Sequence, residues 1–230
     1  MNPKTPSQSF FTSLGENRFG LLFVSLLLTI SGSTILAELG FIWLNNLLIL
    51  LNLLVLLSII TGRWTLRAGV VFFFLSLFYT VTSSVFELKT FTFEPYGQLS
   101  SVILLFLGTL TCFRVIFRSG RIDRERLFAS LSLYLLFGLI FAIIFVVVEE
   151  LLPGSFRYPG NQSPGSEIRP LVQLIYFSYV TLATLGYGDI VPVSGPAKGL
   201  VILEAIIGQM YLVVVVARLV SLYEQTESKE

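Results

Sequence analysis

The run Tyr176-Phe177-Ser178-Tyr179-Val180-Thr181-Leu182-Ala183-Thr184-Leu185-Gly186-Tyr187-Gly188-Asp189 decides the fold class. It closes an apolar segment, Leu171 to Thr184, that is too short as a helix to cross ~30 Å of hydrocarbon. Downstream, Gly199 to Val220 is predominantly apolar and long enough for a full crossing. A short apolar helix, a glycine-bearing loop and a complete span together read as a re-entrant unit. Irregular backbone at membrane depth persists only where protein or water covers it, so this loop must be enclosed. Gly186 and Gly188 stand at alternate positions, where the missing Cβ lets successive carbonyl oxygens turn to one side without a clash.

Composition supports the membrane setting. The 230 residues are 54% hydrophobic and 13% charged, more apolar surface than one soluble core can hide. The chain is therefore expected to be an all-α integral membrane protein whose first partner is the lipid bilayer. A formal net charge of +1 gives no electrostatic basis for nucleic-acid binding. With no histidine and a single cysteine, Cys112, neither an intramolecular disulfide nor a transition-metal cluster is expected, and no cofactor. Cys112 is expected to pack as a small buried hydrophobe.

Apolar stretches long enough to span recur at Phe19 to Leu36, Phe41 to Ile60, Ala68 to Val85, Leu99 to Ile116, Phe128 to Val148 and Gly199 to Val220. Six transmembrane helices follow, with Leu171 to Thr184 as a pore helix between the fifth and sixth. Pro170 suits that helix's first turn. Basic residues favour the cytoplasmic face. Lys4 and Arg18, then Arg63 and Arg67, then Arg118, Arg121, Arg124 and Arg126 fall in alternate loops. Both termini are thus expected in the cytoplasm and the 151–170 loop outside.

From Tyr176 to Asp189 the chain resembles the potassium-channel family over its pore helix and selectivity filter. The resemblance implies a six-transmembrane, one-pore subunit of a homotetramer in the plasma membrane, conducting K⁺ passively and catalysing no reaction. The carbonyls of Thr184, Leu185, Gly186 and Tyr187, with the Thr184 hydroxyl, would cage dehydrated K⁺ as the permeant ion. Gly188 would allow the outer turn, and Asp189 would stand at the pore mouth. Tyr187 is expected to lean on pore-helix aromatics such as Tyr176, Phe177 or Tyr179. Leu185 departs from the family's usual Val or Ile. That departure opens an alternative reading, a weakly selective cation channel; a K⁺ transporter or uptake subunit is the reading from another class.

Two residues of the last span stand out. Gly208 is either a gating hinge or a site of close packing, and Gly199 has only the packing reading. Glu204, an acid inside a span, needs a partner. A hydrogen bond to Thr181 or Tyr179 would make it a buried support or a proton sensor. The fourth span carries Arg114 and Arg118, followed by Arg121, Arg124 and Arg126, and the three-residue steps from Arg118 to Arg124 resemble a voltage-sensor ladder. However, spans two and three hold no acid to pair with a moving arginine, so the sensor reads as degenerate. The expected divisions are an N-terminal segment (1–18), a sensor-like domain (19–118), a linker (119–127), a pore domain (128–223) and a tail (224–230). No cytosolic regulatory domain is expected, so gating would come from the pore, the bilayer or an unidentified regulatory partner.

Overall fold

The computed structural model describes residues 18–39, 41–60, 63–85, 94–117, 124–159 and 170–227. Outside the described residues lie the expected N-terminal segment except Arg18, residues 119–123 of the linker, the loop from 160 to 169 and the last three residues of the tail. The helices are α1 (Arg18–Glu38), α2 (Ile42–Ile59), α3 (Arg63–Val85), α4 (Glu94–Phe117), α5 (Arg124–Leu151), α6 (Pro170–Leu182) and α7 (Gly195–Glu227). The described residues are helical apart from their connections and a small ribbon. In it β1 (Phe156–Arg157) pairs antiparallel with β2 (Val191–Pro192), Phe156 facing Pro192 and Arg157 facing Val191.

Among the described residues, three helical stretches are apolar and long enough to cross a membrane: Arg18–Leu36, Arg124–Leu151 and Gly195–Ala217. Helices α2, α3 and α4 carry the shorter apolar stretches Leu47–Ile59, Thr65–Phe78 and Val102–Phe117. The chain is a membrane protein. Its helix limits depart from the sequence expectation in instructive places. Helix α7 starts at Gly195, four residues before the expected Gly199, because Ser194 caps it: Ser194 Oγ accepts from Ala197 N at 3.3 Å, and Pro196 sits in the first turn. Helix α6 begins at Pro170 as expected but ends at Leu182, two residues short of Thr184.

Two compact units divide the chain. The first holds the described residues up to Thr29 together with Asn46–Leu133. Leu22, Leu26, Leu56, Leu104 and Leu133 are fully buried there, with Cys112, which packs as a free buried thiol. Lipid supplies no hydrophobic drive between helices, so close approach at small residues matters. Gly69 of α3 lies against Leu57, Ile60 and Leu104, and Gly108 of α4 against Leu56.

The second unit holds Ile30–Asn45 and Tyr134–Glu230. Its core joins Phe141, Phe145 and Val146 of α5, Phe156 of β1, Leu174 and Phe177 of α6, Ile190, and Ala197 of α7. Phe145, Phe156 and Phe177 form a triangle with ring centroids 5.3 to 5.5 Å apart. That geometry lies within the favourable range for aromatic pairs. The triangle fixes α5, the ribbon and α6 to one another.

Candidate functional site

The candidate site is the loop from Ala183 to Asp189, all of it exposed in the single chain. Its inner end is set by how α6 stops. Thr184 N donates to Thr181 O at 2.9 Å and Leu185 N to Val180 O at 2.9 Å. These are the two bonds of a Schellman motif, whose turning residue must adopt positive φ and is usually glycine. Here it is Thr184, with φ 59°. A β-branched residue in that region is strained by roughly 1–2 kcal/mol. Gly186 N also reaches Val180 O at 3.3 Å, and Tyr134 of α5 donates its hydroxyl to Leu182 O at 3.1 Å.

Beyond that stop the backbone alternates in hand. Thr184, Gly186 and Gly188 have φ of 59°, 54° and 78°, whereas Leu185 and Tyr187 do not have positive φ. A regular strand points successive carbonyls to opposite sides; reversing the sign of φ at every second residue cancels that alternation and can bring them to one side. A Cβ added at Gly186 or Gly188 would meet nothing within 4 Å, so backbone conformation rather than space requires glycine in this chain. Among the described residues, no group donates a hydrogen bond to the carbonyls of Thr184, Leu185, Gly186 or Tyr187.

The outer end is anchored at Asp189. Tyr176 OH donates to Asp189 Oδ2 at 2.8 Å, and Ile190 N donates to Oδ1 at 2.9 Å. Desolvation works against the charged carboxyl, but the bonds from Tyr176 and the backbone amides outweigh it and hold Asp189 below its ordinary value. The same hydrogen bond, helped by desolvation and the nearby negative charge, pushes the Tyr176 phenol up to about 12. Ile190 then plugs the core, and Val193 N donates to Ser155 O at 2.7 Å. Glu149, buried at the end of α5, accepts from Gly154 N at 3.0 Å and Phe156 N at 2.9 Å. It thereby fixes the turn that presents β1. The Leu-Leu-Pro-Gly turn that follows Glu149 is the sequence signal for this capping role.

The loop's larger side chains are open in the single chain, with Tyr187 66% exposed and Leu185 56% exposed. Phe177 is committed to the aromatic triangle, and Tyr179 donates its hydroxyl to Leu135 O of α5. Tyr176, bound to Asp189, is the expected aromatic whose environment includes Tyr187. Glu204 is fully buried, but its partner is Ser178 rather than Thr181 or Tyr179. Tyr179 is instead turned toward α5, whereas Ser178 sits where it reaches both α7, at Glu204, and α5, at Gly138 O. Gly208 packs against the end of α6, where an added Cβ would lie 2.7 Å from Leu182 Cδ1 and 3.5 Å from Leu182 O. Close packing is thus observed at Gly208. Gly199, expected to pack, has nothing within 4 Å of an added Cβ. Arg114 is exposed in the last turn of α4, Arg124 begins α5, and Arg118 and Arg121 lie outside the described residues.

Comparison with known proteins finds an ion-channel domain in the second half of the chain. Residues 129–225 match the model of the family described as ion channel. Protein LctB of Bacillus caldotenax is 28% identical over 127 residues, covering 54% of this chain and 94% of that protein. Two-pore potassium channel 4 of Arabidopsis thaliana is 37% identical over 67 residues, 29% of this chain and 24% of its own length. Inward rectifier potassium channel Kirbac3.1 of Paramagnetospirillum magnetotacticum is 33% identical over 87 residues, 36% of this chain and 24% of its own length. No solved structure matches.

Proposed function

We propose that the chain is one subunit of a homotetrameric potassium-selective channel whose filter is the Thr184–Gly188 backbone, with Asp189 at its mouth. The observation that carries this reading is the conjunction of alternating positive φ at Thr184, Gly186 and Gly188 with four successive carbonyls that no described donor occupies. Backbone carbonyls at membrane depth need a partner. A dehydrated cation is the partner that a ring of such oxygens fits. One loop supplies a quarter of such a ring. The exposed loop and the apolar exposed face of α7, including Ile202, Ile206, Met210 and Val213, would then meet three further copies.

In this reading K⁺ is the permeant ion, and the chain has six spans, both termini in the cytoplasm and no cofactor. It runs a passive flux and catalyses no reaction. Purified protein in liposomes should carry a current whose reversal potential follows the K⁺ gradient. Equal permeability to Na⁺ and K⁺ would reject selectivity and leave a weakly selective pore with Leu185 as its cause. In nanodiscs the particle should be fourfold; a conducting monomer or dimer would overturn the assembly.

A further inference from the structure

We infer that Glu204 is held as a neutral carboxylic acid and acts as a hydrogen-bond donor, heading a chain that runs from Glu204 of α7 through the Ser178 hydroxyl of α6 to the Gly138 carbonyl of α5. Counting protons leads there. Ser178 Oγ lies within hydrogen-bond distance of both Glu204 Oε1 and Gly138 O, the latter at 2.7 Å. A serine hydroxyl has one proton, and a backbone carbonyl has none to give. If Ser178 donates to Gly138, the proton between Ser178 and Glu204 belongs to the carboxyl.

The surroundings remove the alternative donors. The titratable groups that feel Glu204 are Tyr134 of α5 and Tyr179 of α6. Each has a single hydroxyl proton already committed, Tyr134 to Leu182 O and Tyr179 to Leu135 O. Among the described residues no lysine or arginine pairs with Glu204, and its second oxygen, Oε2, is buried without a partner. A carboxylate there would spread charge over an oxygen with no donor, the costliest way to bury a polar group. An acid leaves only a neutral carbonyl oxygen unpaired. The acid then donates to Ser178, Ser178 and Tyr179 of α6 donate to backbone carbonyls of α5, and Tyr134 of α5 donates to the end of α6, the helix that supports the candidate filter.

Glu204 is in this sense a positioning residue. It touches none of the loop carbonyls and acts through Ser178. Deprotonation would reverse the polarity of its bond, pull the Ser178 proton away from Gly138 and place a charge at the junction of three helices.

The test does not depend on ion flux, so its failure is distinguishable from failure of the channel reading. Infrared spectra of the lipid-reconstituted protein at neutral pH should contain a protonated-carboxyl C=O band that is lost in Glu204→Gln. Identical spectra in that region, with the difference confined to carboxylate bands, would overturn the inference. Glu204→Gln keeps a donor toward Ser178, so its thermal unfolding midpoint should stay constant as pH rises through the range in which the wild type declines. A wild-type midpoint that instead falls on acidification, with Glu204→Gln unaffected, would mean that the anion is the folded form. Should Glu204→Gln not assemble, Ser178→Ala supplies the second arm. It removes the acceptor, so the carboxyl band should move to higher frequency, and an unmoved band would reject the chain.

Discussion

The first four helices and the α5–α7 half both bury hydroxyls but direct them differently. In α1 and α4, Ser25, Thr29, Thr109 and Thr111 bond to Leu22, Ser25, Leu105 and Leu107 carbonyls of their own helix. Such bonds satisfy the hydroxyl without fixing a neighbour. The bond from Asn52 Nδ2 to Thr29 Oγ1, at 3.2 Å, is a long-range contact that joins α2 to α1. In the α5–α7 half, Tyr134, Ser178 and Tyr179 bond between α5 and α6, while Tyr176 ties α6 to Asp189 of the loop and Glu149 ties α5 to the turn and ribbon that follow it. Local bonding permits helices to adjust against one another; cross-helix bonding specifies one geometry. A loop that holds carbonyls in register, as proposed for Thr184–Gly188, would need the second kind.

The sharpest way to break that contrast is at the loop. Gly186→Ala places a side chain at φ 54°, a conformation that costs an L-residue roughly 1–2 kcal/mol in each copy. Relaxing to negative φ would rotate a carbonyl out of line. We expect K⁺ flux in liposomes to be lost while each chain still inserts. Retained flux at wild-type rate would remove Gly186 from the conducting path.

The next effect tests packing behind the loop. A Cβ at Gly138 would lie 2.5 to 3.0 Å from the Tyr179 ring, which its hydroxyl pins to Leu135 O. Gly138→Ala must therefore displace either the ring or α5, and overpacking of this kind costs about 1–3 kcal/mol. The matched control lies in the first unit. At Gly20 an added Cβ would sit 3.5 Å from the Phe128 ring, an ordinary contact. Gly20→Ala should be neutral or stabilising by up to ~1 kcal/mol through helix propensity. Unfolding midpoints in detergent would compare the two; equal loss at both sites would erase the distinction between the halves.

Legibility in the sequence follows the same division. Gly186, Tyr187 and Gly188 at their spacing, after an apolar segment and before a span, are enough to locate the loop, because alternating glycines inside an apolar region point to a backbone that must reverse its hand. The end of α6 falls two residues before the expected limit because the usual signal of a Schellman stop is glycine, and here Thr184 takes the left-handed position. The start of α7 is legible in Ser194-Gly195-Pro196, but only to a reading of caps; apolar content places it four residues too late. Ser178 and Gly138 cannot be paired from sequence. Their meeting depends on the crossing of α5 and α6, which hydrophobic periodicity does not encode when nearly every position is apolar.

Asp189 and Tyr176 offer a milder test at the exposed mouth. The pair's contribution is present wherever Asp189 is ionised and Tyr176 protonated. Because the folded carboxyl titrates below its ordinary value, that contribution is lost as pH falls through the lowered value. Because the phenol is pushed up to about 12, it is lost again as pH rises through that point. Between the ordinary values of the two groups, 3.8 for the carboxyl and 10.0 for the phenol, loop stability should not vary with pH on account of this pair. Tyr176→Phe removes the bond at all pH values. Hydrogen bonds contribute roughly 0.5–1.5 kcal/mol net, and screening at the mouth puts this one at the lower end. The readout is a modest fall in the unfolding midpoint at pH 7 that vanishes when wild type and variant are compared in acid. A difference that persisted in acid would assign the effect to packing of the ring.

The smallest effect belongs to the first unit and is the most exacting check on the contrast. Ser25 is buried at 6% exposure, and its hydroxyl donates to Leu22 O at 2.9 Å within α1. Burial alone would suggest a costly substitution. However, Leu22 O can still accept a main-chain bond along the helix, so Ser25→Ala leaves no donor or acceptor stranded, and alanine is the better helix former by a few tenths of a kcal/mol. The loss of one local bond and the gain in propensity should nearly cancel, within about 0.5 kcal/mol of wild type. Ser178 is likewise buried and also bonds a backbone carbonyl, yet its removal strands Glu204 and should cost measurably more. If Ser25→Ala and Ser178→Ala shift the unfolding midpoint equally, the direction in which a hydroxyl points does not matter. The α5–α7 half would then owe its geometry to packing alone.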